Sequence, residues 1–204
     1  MNSTEERPPV HPPLLRALHW INAFAVIVMI LSGWRIYNAS PFFGFEFPAG
    51  FTLGGWLAGA LAWHFAAMWL LAINLLAYVL YGVLTGHFRR RFLPLWPGIV
   101  WRDLRLALTG RAEHRPGNYN AAQRAAYVFA LAAIVVAILS GLAIWKPVQL
   151  QELTAIMGGF EVARRVHFFA MAGLTLFLIA HVALALGVKG VLKPMATGKL
   201  EREE

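Results

Sequence analysis

The sequence predicts an all-α integral membrane protein, a four-helix bundle with both termini on the cytoplasmic side. Three observations carry that prediction. The chain is 59% hydrophobic and only 14% charged, and its mean hydropathy is +0.58, unlike an ordinary soluble domain. Four apolar stretches are each long enough to cross a hydrocarbon layer of ~30 Å as helix. With the N-terminus inside, fourteen of the eighteen lysines and arginines fall on the cytoplasmic side, leaving Arg35, Lys146, Arg164 and Arg165 outside.

Residues 1–14 form a polar tail with Glu5, Glu6, Arg7 and four prolines. No small-residue cleavage site follows a short apolar core, so the first run, about 15–36, is expected to stay as a span. The loop Ser40–Phe51, SPFFGFEFPAGF, is aromatic and punctuated by Gly and Pro, which suits packing at the membrane interface. The second span, about 56–84, exceeds what a bilayer requires and must tilt or protrude. The basic connection 85–124 contains WPGIVWRDLRLALTGR, where Trp101, Leu104, Leu106 and Leu108 lie among arginines. That pattern suits a helix on the anionic leaflet, with a solvated basic loop as the alternative. The third span, about 125–145, leads into residues 147–162, which have room for a short amphipathic turn of helix. The fourth span, about 166–188, precedes a cytoplasmic tail, 189–204. The whole is expected to be one transmembrane domain of a bacterial inner-membrane, multi-pass protein.

Lipid-exposed backbone must satisfy its own hydrogen bonds, and ten-residue alternating segments are absent, so the spans are helices rather than barrel strands. The net charge of +8 is accounted for by topology and membrane lipid, with no call for nucleic acid. Cysteine is absent, which excludes disulfides, iron–sulfur clusters, thiolate zinc sites and covalently attached c-type haem.

Four of the seven histidines lie in spans. His167 and His181 are fourteen residues apart, nearly one helix face, and ~21 Å apart along the axis. His19 shares the inner level with His181, and His64 shares the outer level with His167. Intramembrane histidine is costly and marks function by default. A single one often does no more than tie helices together. Paired imidazoles at two depths suit the axial positions of two stacked b-type haems, their metals ~20 Å apart. A zinc site would need further ligands, and no carboxylate lies in a span to complete it. Gly33 is fourteen residues after His19 and could make room for a porphyrin, or could pack helices closely. Arg35, Arg164 and Arg165 outside and Arg16 inside are placed to meet propionates. A short echo links ILSGWRI in the first span to ILSGLAI in the third.

The segments RALHWINAF, WHFAAMWLL, GNYNAAQRAAY and RRVHFFA…LIAHV give the chain its family likeness. Over about Arg16–Gly187 it resembles the bacterial di-haem cytochrome b subunits of Ni,Fe-hydrogenases, formate dehydrogenases and thiosulfate reductase-type complexes, in the cytochrome b561-like superfamily. The resemblance implies that His64 and His167 ligate an outer haem b, and His19 and His181 an inner one. It also implies a site for ubiquinone or menaquinone beside the inner haem, with Tyr119, Asn120 and Gln123 as its polar residues. Asn120 is equally suited to capping the third span. The implied activity is electron transfer between a periplasmic molybdopterin or hydrogenase partner and membrane quinone. A stand-alone superoxide:quinone oxidoreductase, known in a sister group, would use the same ligands.

Overall fold

A computed structural model describes residues 12–86, 96–109, 121–187 and 192–198, all of it helix and short connection. His11, His87, His114, Tyr119, Asn120 and Arg89 to Arg91 lie outside the described residues. Among the described residues, four helices are long and apolar enough to cross a membrane: α1 (Pro13–Ala39), α2 (Leu57–Leu84), α4 (Ala121–Trp145) and α6 (Phe160–Gly187). Three short helices accompany them, α3 (Pro97–Leu108), α5 (Gln151–Ile156) and α7 (Leu192–Thr197). The chain forms two compact units, one of α1, α2 and α7, the other of α3 to α6.

In the first unit α1 opens on Pro13, a residue pre-set for a first helical turn where no N–H is needed. Small residues line its seam with α2: Ala25, Ser32 and Ala60 are fully buried and Ala67 nearly so. Without a hydrophobic drive between helices in lipid, such residues let backbones approach and pack by van der Waals contact. Polar ties add to the seam, since buried Asn74 of α2 donates to the Leu18 carbonyl at 2.9 Å. The outer faces of both helices carry Phe24, Trp69, Ile73 and Leu76, all exposed and suited to lipid.

The aromatic loop after α1 is bound to that helix rather than loose. Asn38 brackets Phe47, donating to its carbonyl at 2.8 Å and accepting from its N–H at 2.9 Å. Trp34 stacks on Phe47 at 4.6 Å, and the Leu53 N–H donates to the Leu31 carbonyl at 3.0 Å. Gly54, at φ 108°, then turns the chain so tightly that a Cβ there would collide with the Ala60 backbone. On the opposite end, α7 closes against the first turns of α1. Arg16 donates to the Ala196 carbonyl at 2.9 Å and Trp20 to that of Met195 at 3.3 Å, placing a cation at a helix C-terminus.

In the second unit α4 packs along α6 and carries α3 and α5 on its flanks. Ala143 and Ala163 are fully buried, and Thr154 of α5 donates to the Ala143 carbonyl at 3.1 Å. The helices overrun the apolar windows that announce them. The fourth begins at Phe160 rather than near 166 because Glu161 and Arg164, one turn apart and paired at 3.2 Å, continue the helix beyond the apolar segment. The third begins at Ala121, whose N–H donates to the Asp103 carboxylate of α3 at 2.9 Å. One N–H of the first turn is thus satisfied from another helix. Asp103→Ala is expected to cost about 1 kcal/mol, the usual worth of a helix cap, as a lowered melting temperature in detergent. Removing its exposed partner Arg102 should cost less, because solvent screens that 3.1 Å pair.

Candidate haem-ligand site

The first unit presents His64 from the N-terminal half of α2 toward Ser32 of α1, with 3.0 Å between Nδ1 and Oγ. Ser32 has already committed its single proton, donating to the Val28 carbonyl at 2.6 Å. With the hydroxyl proton on that carbonyl, the oxygen accepts from the imidazole, which puts the His64 proton on Nδ1. Nε2 then holds the lone pair that a metal requires. Where a Cβ on the adjacent Gly33 would stand, the His64 Cε1 is 3.5 Å away. The glycine thus borders the imidazole edge.

The second unit repeats this with different residues. His167 of α6 meets Ser140 of α4 at 3.1 Å, and Ser140 donates to the Val136 carbonyl at 2.6 Å. The same Nδ1 lies 2.9 Å from the Ala137 carbonyl, which can only accept, so the proton is again on Nδ1. Gly141 faces this ring as Gly33 faces the other, with 3.2 Å from its would-be Cβ to His167 Cε1. In both units an imidazole is held by its Nδ1, the arrangement that orients histidines on metals. This donor set fits axial ligation of haem iron.

The other two histidines have aromatic neighbours. His19 of α1 is half-buried and meets Trp20 edge-on at 5.5 Å. His181 of α6 stacks on Phe177 at 5.6 Å, with Tyr127 of α4 edge-on at 6.3 Å. One continuous helix carries both His167 and His181.

The arginines differ in their engagements. Arg35 is half-buried on α1, Arg164 is paired with Glu161, and Arg165 is exposed. Arg16 spends one guanidinium nitrogen on Ala196, while its buried Nε–H has no hydrogen-bond partner among the described residues. An orphaned cationic donor one turn from His19 fits an anionic group such as a propionate. Gln123 is half-buried in the first turn of α4, whereas Tyr119 and Asn120 lie outside the described residues.

Sequence reasoning passed over Ser32, Ser140 and Asp103. The signal for the two serines was the repeated ILSG, whose third residue in each copy is the histidine's partner.

Comparison with known proteins places the chain among oxidoreductase subunits. A putative protein-methionine-sulfoxide reductase subunit of Azospira oryzae is 50% identical over 190 residues, 93% of this chain and 96% of the relative. The cytochrome b556(fdo) subunit of formate dehydrogenase from Escherichia coli is 26% identical over 195 residues, 90% of this chain and 81% of its own length. A probable Ni/Fe-hydrogenase B-type cytochrome subunit from Cupriavidus necator is 24% identical over 212 residues, covering 93% and 85%. All three are named as subunits of oxidoreductases. The family model described as prokaryotic cytochrome b561 matches residues 10–198, and the chain belongs to that family of integral membrane proteins, which carry electrons on b-type haem.

Proposed function

We propose that this chain is the membrane subunit of a two-part reductase, taking electrons from quinol and passing them to an outer partner that reduces methionine sulfoxide in proteins. The observation that supports the electron-transfer part is the twin presentation of His64 and His167, each with Nδ1 held against a buried serine of the neighbouring helix, the arrangement that orients imidazole ligands on metals. The partner is inferred from the relative named a putative protein-methionine-sulfoxide reductase subunit, which this chain matches over 96% of its length. That choice sets a direction, outward from quinol, which the ligands alone do not fix.

In this reading the four spans form one domain. His64 and His167 hold the outer haem, and His19 and His181 the inner one. When bound, haem at these histidines would supply reversible one-electron chemistry. Arg16 meets a propionate of the inner group through its orphaned Nε–H. Arg35, Arg164 and Arg165 serve the outer group, Arg164 by exchanging Glu161 for a propionate. Gln123, with Tyr119 and Asn120, offers hydrogen bonds to a carbonyl of ubiquinone or menaquinone on the cytoplasmic side. The basic stripe of α3, where Arg105 lies over the Trp101 ring at 4.9 Å, is suited to anionic lipid.

The test is reoxidation of the purified, quinol-reduced chain. Adding the co-purified partner and a methionine-sulfoxide protein should return the b-type spectrum to its oxidised form. A spectrum that stays reduced there, but responds to a hydrogenase or formate dehydrogenase partner, would replace the proposed partner. Superoxide-driven quinone reduction by the isolated chain would replace the subunit reading altogether.

A further inference from the structure

Each unit contains the same four-residue device. The run Ile30–Leu31–Ser32–Gly33 on α1 and the run Ile138–Leu139–Ser140–Gly141 on α4 both place a fully buried serine beside a glycine. In both, the hydroxyl proton goes to the carbonyl four residues earlier at 2.6 Å, so the oxygen's lone pairs are its remaining polar function. In both, the histidine Nδ1 lies against that oxygen, at 3.0 Å for His64 and 3.1 Å for His167. The adjacent glycine faces the same ring in each case. Helix packing alone explains a serine or a glycine in a membrane seam. It does not explain why both copies point their lone pairs at an imidazole whose other nitrogen is a candidate metal ligand.

We propose that Ser32 and Ser140 are matched positioning residues, holding the Nδ1–H tautomer and ring plane of His64 and His167 and setting their strength as iron ligands. The proposal rests on the reading that these two histidines share one haem. An acceptor at Nδ1–H draws the proton away from the ring, makes Nε2 more basic and favours ferric iron. Removing it weakens the ligand and favours ferrous iron, so the midpoint potential of that haem rises. At His167 the Ala137 carbonyl still accepts after Ser140 is removed, so the tautomer survives and the effect is a shift rather than a loss.

The experiment uses the purified full chain with haem bound, as wild type, S32A, S140A, the double variant and S32T. It reads haem content, a redox titration and the low-spin electron paramagnetic resonance signals. The expected result is an upward shift of the same one of two midpoints in S32A and S140A, a larger shift in the double variant, and a moved resonance for that haem. The other haem should be unchanged. If S32A loses the haem outright, recovery in S32T, which keeps the hydroxyl, supports the proposal, and no recovery with unshifted S140A potentials overturns it. Retention of both haems with no shift in any variant also overturns it, leaving the shared-haem reading intact. Shifts of different haems in S32A and S140A would keep the serines as positioning residues and overturn the shared haem instead.

Discussion

His64→Ala and His167→Ala are each expected to remove one and the same haem, while His19→Ala and His181→Ala each remove the other. Haem iron held by two imidazoles loses its low-spin, six-coordinate state when either is deleted, and in a membrane seam no nearby thiolate or carboxylate replaces it. The reduced-minus-oxidised amplitude should fall by about half in every single variant, since each haem contributes comparably. The informative comparison is between doubles. His64→Ala with His167→Ala should lose no more than either single, because in the proposed pairing both act on one metal and their effects cannot add. His64→Ala with His181→Ala should lose nearly all of the b-type spectrum. A redox titration of the singles identifies which midpoint remains. If His64 and His167 variants retain different midpoints, the pairing by depth fails, whatever the total haem content.

Much of this arrangement could be read from the residue order, for reasons particular to a membrane. Lipid forces each long apolar run to satisfy its own backbone, so the existence of α1, α2, α4 and α6 follows from hydropathy. Their ends do not. Hydropathy stops at Arg165, but the helix backbone is indifferent to charge, and Glu161 with Arg164 carries α6 back to Phe160. The start of α4 depends on Asp103, eighteen residues earlier, because that carboxylate reaches the Ala121 N–H only once α3 has docked. A local search for a cap points to Asn120, which lies outside the described residues.

The histidines could be read as candidate ligands because imidazole is costly in lipid and its spacing on one helix is fixed at 1.5 Å per residue. The serines behind them were visible only as the echo ILSG. Serine in a membrane helix normally turns its hydroxyl back to the carbonyl four residues earlier, and nothing local says what its lone pairs then face. That needed the neighbouring helix. The family resemblance reached the oxidoreductase subunits as a class, but not the methionine-sulfoxide relative, because the motifs that carry it are those of the spans, which such subunits have in common.

Gly141→Leu is expected to abolish incorporation of the haem proposed for His167, with the chain still inserted in the membrane. A Cβ at residue 141 would lie 3.2 Å from His167 Cε1 and 3.5 Å from Nδ1, so even alanine requires the ring to give by a few tenths of an ångström. Leucine adds three more carbons, and its bulk is directed into the space the imidazole occupies. Overpacking of this kind costs about 1–3 kcal/mol, and the cheapest relief is rotation of the ring away from Ala137 and Ser140. Rotation breaks the Nδ1 hydrogen bonds that keep Nε2 turned to iron, so a packing change becomes a ligand change. Gly33→Ala is the matching control, because its Cβ would stand 3.5 Å from His64 Cε1, ordinary van der Waals contact. It should keep both haems and a near wild-type spectrum. Gly141→Ala should fall between the two, retaining haem with a shifted resonance signal. Haem-to-protein ratios and electron paramagnetic resonance on the three variants check the order. Full haem content and an unmoved signal in Gly141→Leu would mean that His167 is not held against this face of α4, and the cradle around it would have to be abandoned.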